Sequence, residues 1–413
     1  MRKLVDLPEK LWLALAFLLR AGLALKLGSG VYQADEHGFE GAAWTLASTH
    51  AFTDRGQPMV MPPLPSWLLS LVYLVTGRHP TAARLFEAAL ATLLVWAVAR
   101  FVRAASRSEE AGKLALILAA VYPFFIYYGA MLMSETFYTL FAVCGLWRLC
   151  ASLMDRGATP STAAGAGLAF GLAGLCRGEG AAIAGVVLAC ALLAVALGRW
   201  SARAWALAVV FWALPLLGWA ARNKNATGHW SLDTHGGMAM VHGTILFNYN
   251  EVDTSVAMDA LHQMAFWQES HDLPDHEREK IYMQKSLEFM RENPAITLVQ
   301  WAKKAVNFWR PYPRQDKRYA GITGNDPGAG FGRTAMVLVS LMFEPALILG
   351  GFWGLWRLRS RWAELFPLPL FILGTMGVHV LSVSQMRYRL PVMPILMLGL
   401  CSLLAEKIKP QRP

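Results

Sequence analysis

Ten apolar runs, most of them near the length that crosses a hydrocarbon layer, set the frame for this 413-residue chain. A bilayer core about 30 Å thick takes roughly 17 to 25 residues of α-helix. The runs fall at 11–28, 81–101, 113–130, 135–153, 163–176, 181–197, 205–221, 333–356, 364–384 and 390–404. An eleventh, 64–77 (LPSWLLSLVYLVTG), is only 14 residues long, which favours an interfacial or re-entrant helix over a span. Composition agrees: 55% of residues are hydrophobic and 16% charged, against about 25% charged in a typical soluble domain. The expected fold class is therefore an all-α polytopic membrane protein with about 10 transmembrane helices.

Charge decides where 64–77 goes. The net charge of +10 is split into short clusters between apolar runs, not gathered into a nucleic-acid-binding patch. If 64–77 does not span, Arg100/Arg103/Arg107/Lys113, Arg148/Arg156, Arg199/Arg203, Arg357/Arg359/Arg361 and Lys407/Lys409/Arg412 all join Arg2, Lys3 and Lys10 on one side. If it spans, all five clusters move to the opposite side, against the rule that cytoplasmic loops are positive. The first arrangement puts both termini in the cytoplasm, with external loops at 29–80 and at about 222–332. The N-terminal run is interrupted by Arg20 and lacks a small-x-small cleavage site, so it is expected to be a retained helix and not a signal peptide. Arg20, inside that helix, must face protein or water, because a mid-bilayer arginine costs roughly 2.5–3.5 kcal/mol on insertion scales. Cys144, Cys150, Cys176, Cys190 and Cys401 lie in or beside apolar runs and form no CxxC, so no disulfide framework or cysteine-metal site is indicated.

This topology gathers the unusual polar residues on the external side. Asp35-Glu36 follows the first span, and Ser134-Glu135 sits between the third and fourth. Arg177-Gly178-Glu179 joins the fifth to the sixth, Asn223 to Asn250 opens the long loop, and Arg387-Tyr388-Arg389 precedes the last span. A carboxylate at such a surface has two readings. Asp35 can cap a helix starting near Glu36, since Asp is a good N-cap and acids suit a first turn. Alternatively it is a general base taking the proton of an acceptor hydroxyl or amine. One base suffices where the leaving group is a phosphate, unlike the two carboxylates of glycosidases. Arg177, Arg387 and Arg389 either snorkel to headgroups or hold a lipid-linked phosphate through bidentate hydrogen bonds. Glu135 opens a span, where a first-turn acid is also comfortable against the helix dipole.

His235-Gly236-Gly237 and His242-Gly243 point to a tight turn near a ligand, and Asn225-Ala226-Thr227 fits a glycosylation sequon. No HExxH pair occurs, so no metal site is indicated. Asp275 to Trp309 has helical amphipathicity that would lay Tyr282, Leu287, Phe289, Met290, Leu298 and Trp301 on the bilayer surface.

Five stretches resemble the C-type, polyprenyl-phosphate-dependent glycosyltransferases, in particular the protein O-mannosyltransferase and lipid A aminoarabinose transferase group. They are ADEHGFEGAAWTLAS with PPLPSWLLSLVYLVTG, AARLFEAALATLLVWAVAR, YPFFIYYGAMLMSETFYTLF, GLAFGLAGLCRGEG and RYRLPVMPILML. RNKNATGHWSLDTHGGMAMVHGT looks like the start of that group's long external loop. The resemblance implies a GT-C fold and an inverting enzyme with an external active site fed by a lipid-linked sugar. Asp35 would be the base and Glu36 its catalytic neighbour. Glu135, Arg177, Arg387, Tyr388, Arg389 and His235 are the candidates for the donor-phosphate side or the cavity wall. Phe39 stands where relatives commonly carry tyrosine, and Arg177 is followed by Gly-Glu where Pro is frequent. The partners implied are a polyprenyl-phosphate sugar donor, membrane lipids and a lipid, glycan or protein acceptor, with no nucleic acid. No cofactor is implied, and a metal is not carried over from relatives. The expected location is the bacterial inner membrane, with the site on the periplasmic face. The competing reading is a secondary transporter, or a non-catalytic partner in envelope polysaccharide assembly. A transporter would place its polar site at the bilayer midplane within repeated halves.

Overall fold

The computed structural model describes residues 2–54, 56–154, 159–248, 254–312 and 331–408. Arg156, Asn250, Lys409 and Arg412, named above, lie outside the described residues. The helices that matter here are α1 (Glu9–Leu27), α2 (Ala34–Thr49), α3 (Leu64–Thr76), α4 (Pro80–Ser106), α5 (Glu109–Val121), α6 (Ser134–Met154), α7 (Pro160–Cys176), α8 (Gly178–Ala196), α9 (Ala202–Thr227), α10 (Gly236–Gly243), α11 (Asp275–Glu292), α12 (Pro294–Phe308), α13 (Phe331–Arg357), α14 (Pro367–Leu381) and α15 (Met393–Ile408). Each of the ten expected spans falls on helix. Among the described residues, six helical stretches are long and apolar enough to cross a membrane: Pro80–Ser106, Ser134–Met154, Gly178–Ala196, Ala202–Thr227, Val337–Leu365 and Met386–Ile408. The chain is an integral membrane protein. Its strand content among the described residues is one two-residue hairpin, Thr53–Asp54 with Gln57–Pro58.

Lipid supplies little hydrophobic drive between helices, so close backbone approach has to do that work. At Gly167 of α7 an added Cβ would meet the Ala208 carbonyl of α9 at 2.0 Å, and at Gly171 it would strike Pro215 and the Trp212 carbonyl. Gly354 of α13 and Gly399 of α15 interlock in the same way, a Cβ at either landing about 2 Å from a backbone oxygen of the other helix. These glycines are positions of contact, not of turning.

Arg20 is fully buried and has a definite use. Pro123 ends α5, and it cannot donate the N–H that the Ala119 carbonyl would accept. Arg20 Nη2 bonds that oxygen at 3.0 Å, and Nη1 bonds the oxygens of Ala120 (3.0 Å) and Ala16 (2.8 Å). An arginine inside an apolar helix thus satisfies the carbonyls that a proline leaves open.

The 64–77 run forms α3, a separate 13-residue helix paired with α2, and Gly77 at φ 71° closes it. Other expectations change. Asp275–Trp309 is two helices, divided at Asn293 because Pro294 cannot continue α11. Tyr282 does not face a bilayer: it is buried with Val241, Leu246, Ala257 and Leu261 in the long loop's own small core. α9 extends to Thr227, so Arg222 and Asn223 belong to a helix and not to the loop.

Candidate active site

The acidic pair divides at the start of α2. Gln33 is the N-cap and Ala34 the first helical residue, so Asp35 is not the cap that its residue type suggested. Glu36, one step further, closes a capping box, its Oε2 accepting from the backbone N–H of Tyr32 (2.8 Å) and Gln33 (3.0 Å). Its Oε1 accepts from Leu132 N–H (3.0 Å) and pairs with Arg84 Nη1 (2.8 Å), both side chains being inaccessible to solvent. Arg84, on α4, also bonds the carbonyls of Gly28, Gly30 and Ala130. All of Glu36's capacity is spent on fixing the loop, which leaves it a positioning residue in place of the catalytic neighbour expected from the sequence.

Asp35 is left free to face outward, its side chain 47% exposed. α2 itself is held rigidly against α3. Arg78 grips Glu40 with two hydrogen bonds (2.9 and 2.7 Å), Tyr73 donates to the same carboxylate, and Ser66 Oγ bonds the Phe39 carbonyl. A side chain mounted on such a helix has a defined position.

Around Asp35 the structure assembles residues from far along the chain. Arg387 Nη1 lies 2.7 Å from Asp35 Oδ2 and 3.4 Å from Glu135 Oε1. Arg177 Nη1 lies 3.6 Å from the same Glu135 oxygen, donates to Ser134 Oγ at 3.1 Å, and its Nε meets Glu179 Oε1 at 2.5 Å. Both guanidinium groups stack on the Tyr388 ring, 5.0 and 4.9 Å from its centre, and Arg387 Nη2 bonds the Tyr388 hydroxyl. The ring is parallel to His379 at 4.3 Å, which in turn lies 3.8 Å from Glu179. Neither Glu135 oxygen has a hydrogen-bond partner although the side chain is 4% exposed, and Arg387 Nε is likewise unsatisfied. The cluster therefore holds unspent hydrogen-bonding capacity between two cations.

Burial pushes the Asp35 carboxyl up, but the charge and hydrogen bond of Arg387, helped by Arg177 and His235, outweigh it and hold the group below the usual carboxylate range. His235 lies at the edge, its Nδ1 2.7 Å from Asp233, which raises the histidine above its ordinary value despite burial pulling the other way. Its loop is tied to the first external loop by Thr234 N–H on the Val60 carbonyl (3.1 Å).

Arg389 does not join. It is buried and pairs with Glu344, which also takes the Tyr122 hydroxyl, and it bonds the carbonyls of Phe308 (2.8 Å) and Arg310 (2.6 Å). Arg387 and Arg389 lie in the 3-10 helix Met386–Val392, where residues two apart are about 240° apart around the axis, so the Arg389 side chain leaves on another face and the expected donor contact is corrected to a packing role. The sequence reading missed Arg84, His379 and the part played by Glu179. For Arg84 there was a signal, since an arginine inside the 81–101 run calls for a protein partner or a place at the interface. Among the described residues no group of three His, Cys, Asp or Glu side chains is arranged to hold a metal ion. An apolar hollow of about 710 Å³, lined by Leu46, Phe52, Trp67, Trp219 and Arg222, opens beside the hairpin, apart from the Asp35 cluster.

The fold these helices make is the GT-C fold, which the chain shares with solved structures of low sequence identity. Residues 60–219 match the family model described as dolichyl-phosphate-mannose-protein mannosyltransferase, a stretch that includes Arg84, Glu135 and Arg177. Among solved structures, the archaeal oligosaccharyltransferase AglB from Archaeoglobus fulgidus, in complex with an inhibitory peptide and a dolichol-phosphate, superposes with a TM-score of 0.55 at 14% identity, over 96% of this chain and 51% of that one. The apo form of the Archaeoglobus fulgidus oligosaccharyltransferase gives 0.57 at 15% identity, over 97% and 51%. ArnT from Cupriavidus metallidurans bound to undecaprenyl phosphate gives 0.44 at 16% identity, over 98% and 81%. No curated protein matches the sequence. The chain spans about half the length of the archaeal enzymes whose fold it shares.

Proposed function

We propose that this protein is a membrane glycosyltransferase that moves a sugar from a polyprenyl-phosphate donor to a lipid, glycan or protein acceptor by a single, inverting displacement. The observation that carries the reading is the meeting of Asp35, from the first loop, with Arg387 and Arg177, from helix ends more than a hundred residues away. The family match and the shared fold support it.

In the reaction, the acceptor O–H or N–H attacks the anomeric carbon while the bond from that carbon to the phosphate oxygen breaks. The electron pair leaves with the phosphate, and the acceptor proton passes to Asp35. Arg177 and Arg387 meet the charge that grows on the departing oxygen, and fixed donors of this kind are worth most where water is excluded. Their spacing is kept by Glu135 between them and by the Tyr388 ring on which both stack. Donor phosphate competes with Asp35 for Arg387. Once the guanidinium turns to phosphate, the Asp35 carboxylate loses the cation that suppresses its basicity. Donor arrival thereby readies the base.

The site faces the periplasm in this reading, with both termini in the cytoplasm of a bacterial inner membrane; the placement of the basic clusters supports that orientation. The test is Asp35→Asn in proteoliposomes charged with a polyprenyl-phosphate sugar, followed by release of the free polyprenyl phosphate. It is paired with mass spectrometry of envelope lipids and glycans from cells carrying either form. Loss of both release and product is expected, and full turnover by the variant overturns the assignment of Asp35.

A further inference from the structure

α12 is turned inside out. Its inward stripe is Thr297, Gln300, Lys304 and Phe308, at the spacing of one helical face, and all four are buried. Its outward face carries Ile296, Leu298, Val299 and Val306, exposed by 45%, 62%, 56% and 70%. A helix on a water-soluble surface does the opposite and buries its apolar stripe. The buried polar groups are also well used. Lys304 Nζ donates to the carbonyls of Gly243 (3.0 Å), Leu381 (3.1 Å) and Ser382 (3.0 Å), and Gln300 donates to Thr244 (3.1 Å). Ser384 returns a bond to the Lys304 carbonyl at 2.8 Å, and Asn307 bonds the Ser384 carbonyl. An arrangement of this kind is stable when the medium outside the helix is itself apolar and all polar partners lie within the protein.

The exposed face has a neighbour that settles its medium. Trp309, following α12, packs edge-on against Phe352 of α13 at 5.1 Å. The span that contains Phe352 exposes Leu349 and Trp353 on its surface, as a lipid-facing helix does. α12 continues that lipid-facing belt, yet at 15 residues it is too short to cross and is confined to one leaflet.

We propose that α12 lies sunk in the bilayer leaflet on the side of the candidate site, with lipid acyl chains covering Ile296, Leu298, Val299 and Val306. Its inward polar face then ties lipid to chemistry: Lys304, Asn307 and the Phe308 carbonyl bind residues 381–389, the segment that presents Arg387 and Tyr388 to the cluster. The partner is a hydrocarbon chain, not a protein, and the immersion stands whatever reaction the site performs.

The test uses the full chain in proteoliposomes, with nitroxide labels on Val299→Cys and Val306→Cys, Gln284→Cys on α11 as the aqueous control, and the unsubstituted chain as the blank. Oxygen collisions should exceed those of a water-soluble nickel chelate several-fold at 299 and 306, with the order reversed at 284. Equal nickel access at all three positions overturns the proposal. A second measurement needs no substitution. A phospholipid with a diazirine at its chain end is photolysed in the same vesicles, and the adducts are mapped. Adducts across residues 296–306 are expected, and adducts on the α13 span with none on α12 overturn the immersion.

Discussion

Asp35 and Glu36 are neighbours in the chain and opposites in the molecule. Glu36 is sealed from solvent, with four hydrogen-bond donors on two oxygens, one of them a guanidinium whose three nitrogens each also reach a backbone carbonyl. Asp35 is half-exposed and has one cation, shared with Glu135, in a cluster where several polar atoms have no hydrogen bond. A network with no capacity left can only hold shape, because taking on a ligand atom would orphan a group already paired. A network with unspent donors and a mobile share of charge can bind something and respond to it. The two networks show how one acidic dipeptide supplies both a mount and an exposed carboxylate beside unspent donors.

The sharpest way to break this comparison is to neutralise each acid in turn. Asp35→Asn should cut transfer by roughly 10²- to 10⁴-fold, the range for loss of a general base, with little change in the thermal unfolding midpoint. Glu36→Gln should do the reverse in order of cause, lowering stability first by about 3–5 kcal/mol, the cost of orphaning one partner of a buried pair. Arg84→Met belongs with Glu36 and should show a similar drop in melting midpoint. If Asp35→Asn is the less stable of the two acid variants, the contrast fails.

Arg387→Gln is the next test, and its sign follows from the cation beside Asp35. Arg387 holds the carboxyl below its usual range, so removing it lets the value rise, and the acid limb of kcat/KM should move to higher pH. A limb that stays in place means that another group titrates. Arg389→Gln, two residues away, should cost stability through Glu344 and the Phe308 carbonyl while leaving that limb where it is. The smallest effect is reserved for His235→Gln. His235 contributes the last of the influences on Asp35, so the limb should shift in the same direction by less than for Arg387.

Much of the fold was legible because span length and charge placement are properties of single segments. The apolar runs marked the helices, and the short run 64–77 is a separate helix of 13 residues. The candidate site was legible in part. Asp35, Glu135, Arg177, Arg387 and Tyr388 were singled out as polar residues at helix ends, and the structure brings them into one cluster. What the sequence did not carry is side-chain direction. Nothing in RYR distinguishes Arg387, which turns to Asp35, from Arg389, which turns to Glu344. Nothing in DE reveals that the second acid and not the first would close the capping box. α12 shows the same limit, since its amphipathicity is plain from the sequence while the face that points outward depends on what surrounds it.

The interlock of α7 with α9 carries a consequence for distance-keeping. α7 ends at Cys176 and hands the chain directly to Arg177. Near the other end of the pair, Arg222, in the last two turns of α9, holds the carbonyls of Phe52 and Met59 in the first external loop with its guanidinium. With Gly167 pressed on the Ala208 backbone, neither helix can slide along the other without a collision. The pair therefore acts as a caliper: one jaw carries Arg177, the other grips the loop that follows the Asp35 helix, and the setting is fixed at Gly167 and Gly171, where a hydrogen atom fits and a methyl group would not.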